Sequence, residues 1–307
     1  MFDLLIVGGG PAGVAAGVYA ARKRLKTLLI AESVGGQSVD STEVQNWIGT
    51  EKITGLALAK SFEQHLKAYA DNVVTLAIGE RVTKLAKVAQ GFSVTTTKGT
   101  YEARATLIAS GGSRKKLAVP GAQEFENKGV TYCASCDGPL FADQDVAVVG
   151  GGNAGFETAQ QLLAYAKNVT LIHRRAAFDK ADVATVEAVR AHKNFTALTE
   201  SEPVEVKGGQ FVSGLVVRNF RTQETRELSV TGIFIEIGML PNTDFAKGLV
   251  ELDAHNRIKI DAKNQHTSIE GIWAAGDCTD ELYHQNNIAA GDGVKALEDI
   301  YLWCKAR

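Results

Sequence analysis

Two glycine-rich segments with the same spacing constrain the fold of this chain more than any other feature of its sequence. The first, Gly8 to Gly13, follows the apolar run Leu4 to Val7 and opens an alanine-rich segment, Pro11 to Arg24, before a second apolar run, Thr27 to Ala31. Buried parallel strands are typically short apolar runs, and proline is common in the first turn of a helix. The pattern predicts a βαβ unit.

The same order of segments returns in the middle of the chain. The apolar run Val146 to Val149 precedes the glycine segment Gly150 to Gly155, and the helical segment Asn153 to Ala166 and the run Val169 to His173 follow. The repeat predicts an α/β protein with two doubly wound domains, and periodicity alone leaves open whether one is inserted in the other. We expect crossovers near residues 111–116 and 240–244, further strands at 92–97, 100–103, 107–109, 211–218, 232–237, 258–260 and 272–275, and a last helix at 285–303.

The charge and cysteine content exclude several classes of protein. There are 33 basic Lys and Arg residues against 35 acidic ones, which gives a formal charge of -2 and favours a small-molecule or protein partner over nucleic acid or an anionic membrane. No apolar run approaches the roughly 20 residues of a membrane span, and the N-terminus is typical of a strand and not of a signal peptide. Four cysteines are too few for a disulfide framework and suit a reducing cytoplasm.

The first glycine segment has the G-x-G-x-x-G spacing of a dinucleotide site. Glycines allow a tight turn and close approach of the backbone to a pyrophosphate, and the helix N-terminus supplies N–H donors. Glu32 lies 19 residues after Gly13 at the end of the second strand, where a carboxylate accepts hydrogen bonds from a ribose. The alternative is an ordinary glycine turn with a surface glutamate.

The second glycine segment ends its βαβ unit differently. Where Glu32 stands in the first unit, this one has His173, Arg174 and Arg175. A basic pair can hold a 2'-phosphate through charge-assisted hydrogen bonds, so the segment favours NADPH over NADH. The alternative is that both arginines are a solvated basic strand end.

Cys133 and Cys136 have the C-x-x-C spacing of a redox pair. Half of a zinc site is the competing interpretation, and a second half is lacking because Cys278 and Cys304 stand alone and the histidines show no ligand spacing, so we expect no metal. Asp137 can exchange a proton with the neighbouring thiol, although an aspartate at such a position is often only a cap.

These motifs together resemble a known family. Gly8 to Gly13, Gly35-Gly36-Gln37, the Cys133 to Gly138 segment before a second glycine loop, His173-Arg174-Arg175 and Trp273 to Asp277 are similar to low-molecular-weight thioredoxin reductases over essentially the whole chain. Cys133 to Leu140 also resembles the flavoprotein of alkyl hydroperoxide reductase. That relative carries an extra N-terminal disulfide domain that this sequence does not show, so the simple reductase is the expectation.

The resemblance implies the roles of individual residues. The FAD set would comprise Gly8, Gly10, Pro11, Ala12, Gly13, Glu32, Gly36, Gln37, Asn46, Ala109, Gly111, Gly276, Asp277, His284, Gln285 and Ala289. The NADPH set would comprise Gly150, Gly152, Asn153, Ala154, Gly155, His173, Arg174, Arg175 and Lys180. The catalytic set would comprise Cys133, Cys136 and Asp137.

The resemblance also implies an architecture and a reaction. Two Rossmann-like, three-layer ββα domains are expected, the second inserted in the first: residues 1–112 and 243–307 bind FAD, and 113–242 bind NADPH and carry the disulfide. One domain would rotate about crossovers near Gly112 and Pro241. Electrons would pass from NADPH through FAD to the disulfide, with Cys136 facing the flavin, and then through Cys133 to thioredoxin or a thioredoxin-like protein. A cytoplasmic homodimer is implied.

One departure from the family leaves the electron donor open, and a second concerns the flavin. Relatives usually have an arginine at the position of Asp179, where a carboxylate would repel a 2'-phosphate; Lys180 follows it. The donor could therefore be NADH, reduced ferredoxin or a deazaflavin instead. His284 stands where relatives place a basic residue before Gln285, and it could tune the flavin. A flavoprotein reductase for a non-disulfide acceptor, or a sensor that keeps FAD without turnover, would also fit part of this pattern.

Overall fold

The fold is taken from a computed structural model that describes residues 1–41 and 43–306. In chain order its strands are β1 (Phe2–Val7), β2 (Thr27–Ala31), β3 (Val74–Ile78), β4 (Val82–Val88), β5 (Gly91–Thr96), β6 (Thr100–Ile108), β7 (Gly112–Arg114), β8 (Val130–Thr131), β9 (Asp145–Val149), β10 (Asn168–Ile172), β11 (Phe195–Leu198), β12 (Ser201–Gly208), β13 (Val212–Asn219), β14 (Thr225–Leu228), β15 (Gly232–Ile235), β16 (Met239–Pro241) and β17 (Ile272–Ala274). Its α-helices are α1 (Pro11–Arg22), α2 (Gly55–Ala70), α3 (Ala134–Asp137), α4 (Asn153–Leu162), α5 (Val183–Arg190) and α6 (Asn286–Lys305). Short 3-10 helices lie at Gly36–Asp40, Gly138–Phe141 and Asp244–Ala246.

The chain divides into two compact units. Unit 1 combines Met1–Ser113 with Leu240–Arg307, and unit 2 is Arg114–Met239. Both boundaries fall beside the predicted crossovers. The connecting strands β7 and β16 pair with each other as a two-stranded sheet.

Unit 1 is built on a mostly parallel sheet covered on both faces. The strand order is β3-β2-β1-β6-β5-β4, with β17 also paired to β6. Alternate residues of β1 point to opposite faces, so Leu4 and Ile6 join one apolar cluster with α1, α2 and α6, while Leu5 and Val7 join a second. Burial on both faces explains why this strand is apolar from Leu4 to Val7.

Unit 2 repeats this plan on a smaller scale. Its parallel sheet has the order β11-β10-β9-β15-β8, and β12, β13 and β14 form a separate antiparallel sheet. Strand β9 continues into the second glycine turn and α4, so the site-bearing loop grows directly out of the buried sheet. Phe156 of α4 is fully buried against the rings of Phe178 and Phe195, at centroid distances of 4.9 and 6.2 Å.

The predicted fold class, two Rossmann-like units in one α/β chain, is confirmed. Two predicted strand assignments are wrong. Residues 100–103 and 107–108 belong to a single strand, β6, because ladders to β5 and β1 continue along it, and Ala109 lies just beyond its end. Ile258 makes only isolated bridges, to Leu252 and Thr279, so no strand forms at 258–260. None of the described helices combines the length and apolar character needed to cross a membrane.

Phe156→Ala should lower the free energy of unfolding of unit 2 by about 3–5 kcal/mol, because it leaves a cavity between two other rings. The matched control is Phe211→Ala, since that ring is 65% exposed and its loss should change stability by less than about 0.5 kcal/mol. Urea denaturation of both variants measures the difference. Equal losses would contradict the assignment of this cluster as the core of the unit.

Candidate dinucleotide and disulfide sites

The first glycine loop is shaped by backbone contacts that exclude a side chain. Gly8 has φ +122°, and a Cβ there would overlap the carbonyl oxygen of Ala109. A Cβ on Gly13 would overlap the carbonyl oxygen of Gly8. Both glycines therefore let α1 begin directly against the strand ends, and the first turn of the helix points its free N–H groups outward.

A cavity of about 890 Å³ opens at this loop, entirely within unit 1. Its walls include most of the residues predicted to bind FAD: Gly8, Gly10, Pro11, Ala12, Glu32, Gly36, Gln37, Ala109, Gly111, Gly276, Asp277 and Ala289. Around Gly111 the space is open, since a Cβ there would meet no described heavy atom within 4 Å. A cavity of this size that includes a helix N-terminus and a carboxylate at the second strand end fits a bound dinucleotide.

Asp277 in the cavity wall is contacted by two other side chains. The Gln37 amide donates to its carboxylate at 3.2 Å, and His284 Nδ1 lies 3.5 Å from the same group. Asn46 donates to the Gln285 side chain at 3.2 Å. Among the described residues, Gly13, Asn46, His284 and Gln285 of the predicted FAD set do not line the cavity. His284 lies beside one residue that does, Asp277.

A buried acid that was not predicted from the sequence, Asp292, contacts the turn at Gly276 and Asp277. Asp292 of α6 is 5% exposed, and the backbone N–H of Gly276 faces its carboxyl group. Burial raises the pKa of Asp292, while Lys295 and that N–H oppose the increase. Gly276 itself has φ +74° and fits between the side chains of Ala12 and Ala289. Spacing on α6 gave no signal for this role, since Asp292 resembles any helical acid.

The second glycine loop repeats the first in unit 2. Gly150 has φ +126°, a Cβ on it would overlap the carbonyl oxygen of Glu236, and a Cβ on Gly155 would overlap that of Gly150. Gly152 precedes α4, and a Cβ there would meet no described heavy atom within 4 Å, so the loop is open at the helix N-terminus. The arrangement suits a second dinucleotide.

Glu236 closes this loop and was not predicted. Its carboxylate accepts from Thr158 at 2.9 Å and pairs with Arg114 at 3.3 Å. Burial raises the pKa of Glu236, and the nearby Arg114 guanidinium opposes that increase. A strand-end glutamate has no sequence signature of its own, so only the fold shows the partnership.

The basic segment after β10 is not a uniform row of cations. His173 is buried, with Nε2 3.0 Å from the carbonyl oxygen of Ala177, and its ring fills the space beside Gly151. Arg175 pairs with Asp179. Arg174 and Lys180 are exposed.

The two redox-type cysteines form a disulfide at the start of a one-turn helix. Cys133 and Cys136 have Cα atoms 5.3 Å apart and close a ring across α3. The backbone N–H of Cys136 donates to Cys133 Sγ at 3.2 Å. Once the bond is open, the same N–H is placed to stabilise a thiolate on Cys133.

Asp137 lies beside the pair in a partly buried position. Thr131 Oγ1 donates to its carboxylate, and burial raises its pKa although this hydrogen bond opposes the increase. A carboxyl group with a raised pKa beside a disulfide is a candidate to give and take the proton of thiol exchange. Thr131 was missed in the sequence because nothing in the C-x-x-C spacing points two residues upstream.

The remaining two cysteines lie in unit 1. Cys278 is fully buried, which raises the pKa of its thiol to about 11, and burial also raises the pKa of Cys304. Within the described part of the chain, no group of three or more His, Cys, Asp or Glu side chains is arranged to hold a metal ion.

Comparison with known proteins identifies a family with this combination of sites. Residues 2–293 match the family described as pyridine nucleotide-disulphide oxidoreductase. The chain belongs to this family. A flavin and a nicotinamide nucleotide are therefore its cofactors, and the two glycine loops fit two dinucleotides.

The proteins similar to this oxidoreductase carry three different names. It is 42% identical over 306 residues to the F subunit of alkyl hydroperoxide reductase from Pseudomonas putida and 39% identical over 296 residues to a protein named NADH dehydrogenase from Bacillus subtilis, each covering 96% of this chain. The chain spans 56% and 57% of those relatives. The crystal structure of thioredoxin reductase from Streptococcus pyogenes is 34% identical with a TM-score of 0.92, and it covers 100% of this chain and 99% of its own. Thioredoxin reductase from Giardia duodenalis is 33% identical with a TM-score of 0.93, covering 99% of both chains.

Asp137→Asn should stabilise the oxidised protein at about pH 8, and the gain should shrink as the pH falls towards about 4. Burial raises the pKa of the folded carboxyl above its unfolded value, so ionisation opposes folding at high pH and the penalty is absent below the unfolded pKa of about 3.9. The melting temperature against pH measures this, with Asp143→Asn as the exposed control. A gain independent of pH would contradict a partly buried, titrating Asp137.

Proposed function

We propose that this oxidoreductase is a thioredoxin-disulfide reductase, which passes electrons from NADPH through FAD to its Cys133–Cys136 disulfide and on to thioredoxin or a thioredoxin-like protein. The observation that carries the proposal is the disulfide itself, held beside a carboxyl group of raised pKa in the same unit as a dinucleotide loop. Two similar structures that bear the name thioredoxin reductase support it.

FAD, when bound, supplies the two-electron chemistry that links a nicotinamide to a disulfide. In unit 1, the open N-terminus of α1 would face its pyrophosphate, and Glu32 would accept hydrogen bonds from its ribose. Asp277, fixed by Gln37 and supported from behind by Asp292, would bind the far half of the same cofactor. Residues 1–112 and 243–307 are therefore the proposed FAD domain.

Opening the disulfide takes two electrons and two protons and yields two thiols. The hydride of the nicotinamide brings both electrons and one proton, so one further proton must come from the protein or solvent. Asp137 is the proposed carrier, since it lies beside the pair and its raised pKa favours the protonated form. Cys133, stabilised as thiolate by the Cys136 N–H, would attack the disulfide of the partner, and Cys136 would then close the ring again.

The donor is proposed to be NADPH, bound at Gly150 to Gly155 in a domain of residues 113–242. Arg174 and Lys180 are the exposed cations available to a 2'-phosphate there. A relative named NADH dehydrogenase supports NADH as the alternative donor.

Thioredoxin is proposed as the partner from the names of the similar structures, and a peroxide-reducing protein is a second candidate. The 42% identity to the F subunit of alkyl hydroperoxide reductase favours delivery of electrons to a peroxide-reducing protein. Both candidates use the same dithiol, so the acceptor distinguishes them. We also propose that the protein is cytoplasmic and forms a homodimer. The two free thiols, Cys278 and Cys304, support a reducing compartment.

Cys136→Ser should retain bound FAD, with its yellow colour, and lose reduction of thioredoxin, because one sulfur cannot form the ring that cycles electrons. Thiol release from oxidised thioredoxin under anaerobic NADPH measures it, and flavin absorbance reports cofactor content. Cys304→Ser is the matched control and should keep the parental rate, since that thiol lies in unit 1 and outside the proposed chemistry.

Reduction of thioredoxin by Cys136→Ser at the parental rate would end the dithiol proposal. A parental protein that reduces a peroxidase-type disulfide but not thioredoxin would favour the second candidate. Failure to bind added FAD would overturn both.

A further inference from the structure

The loop after β10 follows the second strand of the βαβ unit that carries the second glycine loop. In a βαβ unit, the residues after the second strand meet the adenine ribose, where an acid accepts the 2'-hydroxyl and a base binds a 2'-phosphate. Here these residues are Arg174 and Arg175. His173, by contrast, is turned into the protein, because its ring lies beside Gly151 and bonds the Ala177 carbonyl oxygen.

Arg175 is already engaged by an acid from the same loop. Its Nη1 donates to both carboxylate oxygens of Asp179, at 2.9 and 3.2 Å. Both side chains are about half exposed, so the pair is accessible to a nucleotide that approaches the strand end.

The loop that carries Asp179 is tied to the rest of unit 2 at both ends. The backbone N–H of Asp182 donates to Asn153 Oδ1 at 2.7 Å, which ties the loop to the first residue of α4. The Asp182 carboxylate caps α5 through the Thr185 N–H at 2.8 Å. His173 anchors the other end of the loop. Between these two anchors, the carboxylate of Asp179 pairs with the guanidinium of Arg175, four residues earlier in the chain.

Because of the charges in this loop, Arg174 and Arg175 differ in their availability to a 2'-phosphate. Asp179 cancels the charge of Arg175 and would repel a phosphate dianion. Arg174 and Lys180 form no ion pair with any residue that the structure describes. A 2'-phosphate would thus meet one arginine, one lysine and one carboxylate, whereas an unmodified ribose hydroxyl can donate to Asp179.

We propose that Asp179 is the residue that sets donor selectivity: it withdraws Arg175 from 2'-phosphate recognition, so this site accepts NADH alongside NADPH. The inference rests on the proposed function, because it refers to the nucleotide of the same site. It assigns opposite effects to two neighbouring charges, Arg174 favouring NADPH and Asp179 opposing it.

The test is a double-mutant cycle on Asp179 and Arg175, read by the dissociation constants of NADP+ and NAD+ in titration calorimetry and by kcat/KM for NADPH and NADH. Asp179→Asn should raise the NADPH-over-NADH ratio by about tenfold, since a freed guanidinium can make charge-assisted bonds to the phosphate. Arg175→Ala should change the ratio by less than about twofold in the parental protein and should abolish the gain in the Asp179→Asn background.

The control is Asp143→Asn, which makes the same change of charge before β9, at the opposite end of the parallel strands. An equal rise of the ratio in this control, or no rise in Asp179→Asn while both nucleotides still bind, would overturn the inference and leave the proposed function intact. A parental protein that binds neither nucleotide would overturn both.

Discussion

Direct contact between main chains, without a side chain between them, is the constraint on which both sites depend. At Gly8 and Gly13 in one unit, and at Gly150 and Gly155 in the other, a single added Cβ would overlap a carbonyl oxygen. These glycines let a helix start within one turn of a buried strand, and that proximity leaves the first N–H groups of the helix unpaired and facing outward. The anion sites are thus a product of packing, and replacing one glycine disturbs the core and the site together.

Buried acids contact the backbone or side chains next to each site. Asp292 faces the N–H of Gly276 from the far side of the cavity wall, and Glu236 joins the end of β15 to Thr158 of α4 and to Arg114. Burial raises the pKa of both acids, and a neighbouring cation or N–H donor opposes the increase in each. Removing such a donor would leave a buried carboxyl group without its partner, which is more damaging than losing a surface ion pair.

Much of the fold could be predicted from the sequence because several of its signals are local. A buried strand, a glycine turn and an amphipathic helix each carry their own signal, so β1, α1, β2, β9 and the C-x-x-C pair could be predicted. Segments whose structure depends on distant partners could not. β6 is continuous because β1 and β5 flank it, Thr131 serves Asp137 only through folding, and the Arg175–Asp179 pair turns a predicted phosphate ligand into a neutralised one.

The burial of the remaining cysteines has a practical result for chemical labelling. Alkylating reagents react with the thiolate, and Cys278, with a pKa of about 11 and no exposed surface, stays protonated and shielded while the fold is intact. Cys304 is buried with a raised pKa as well. The stoichiometry of iodoacetamide incorporation into gently reduced native protein therefore counts the C-x-x-C sulfurs alone, and intact mass spectrometry would report their oxidation state without mutagenesis.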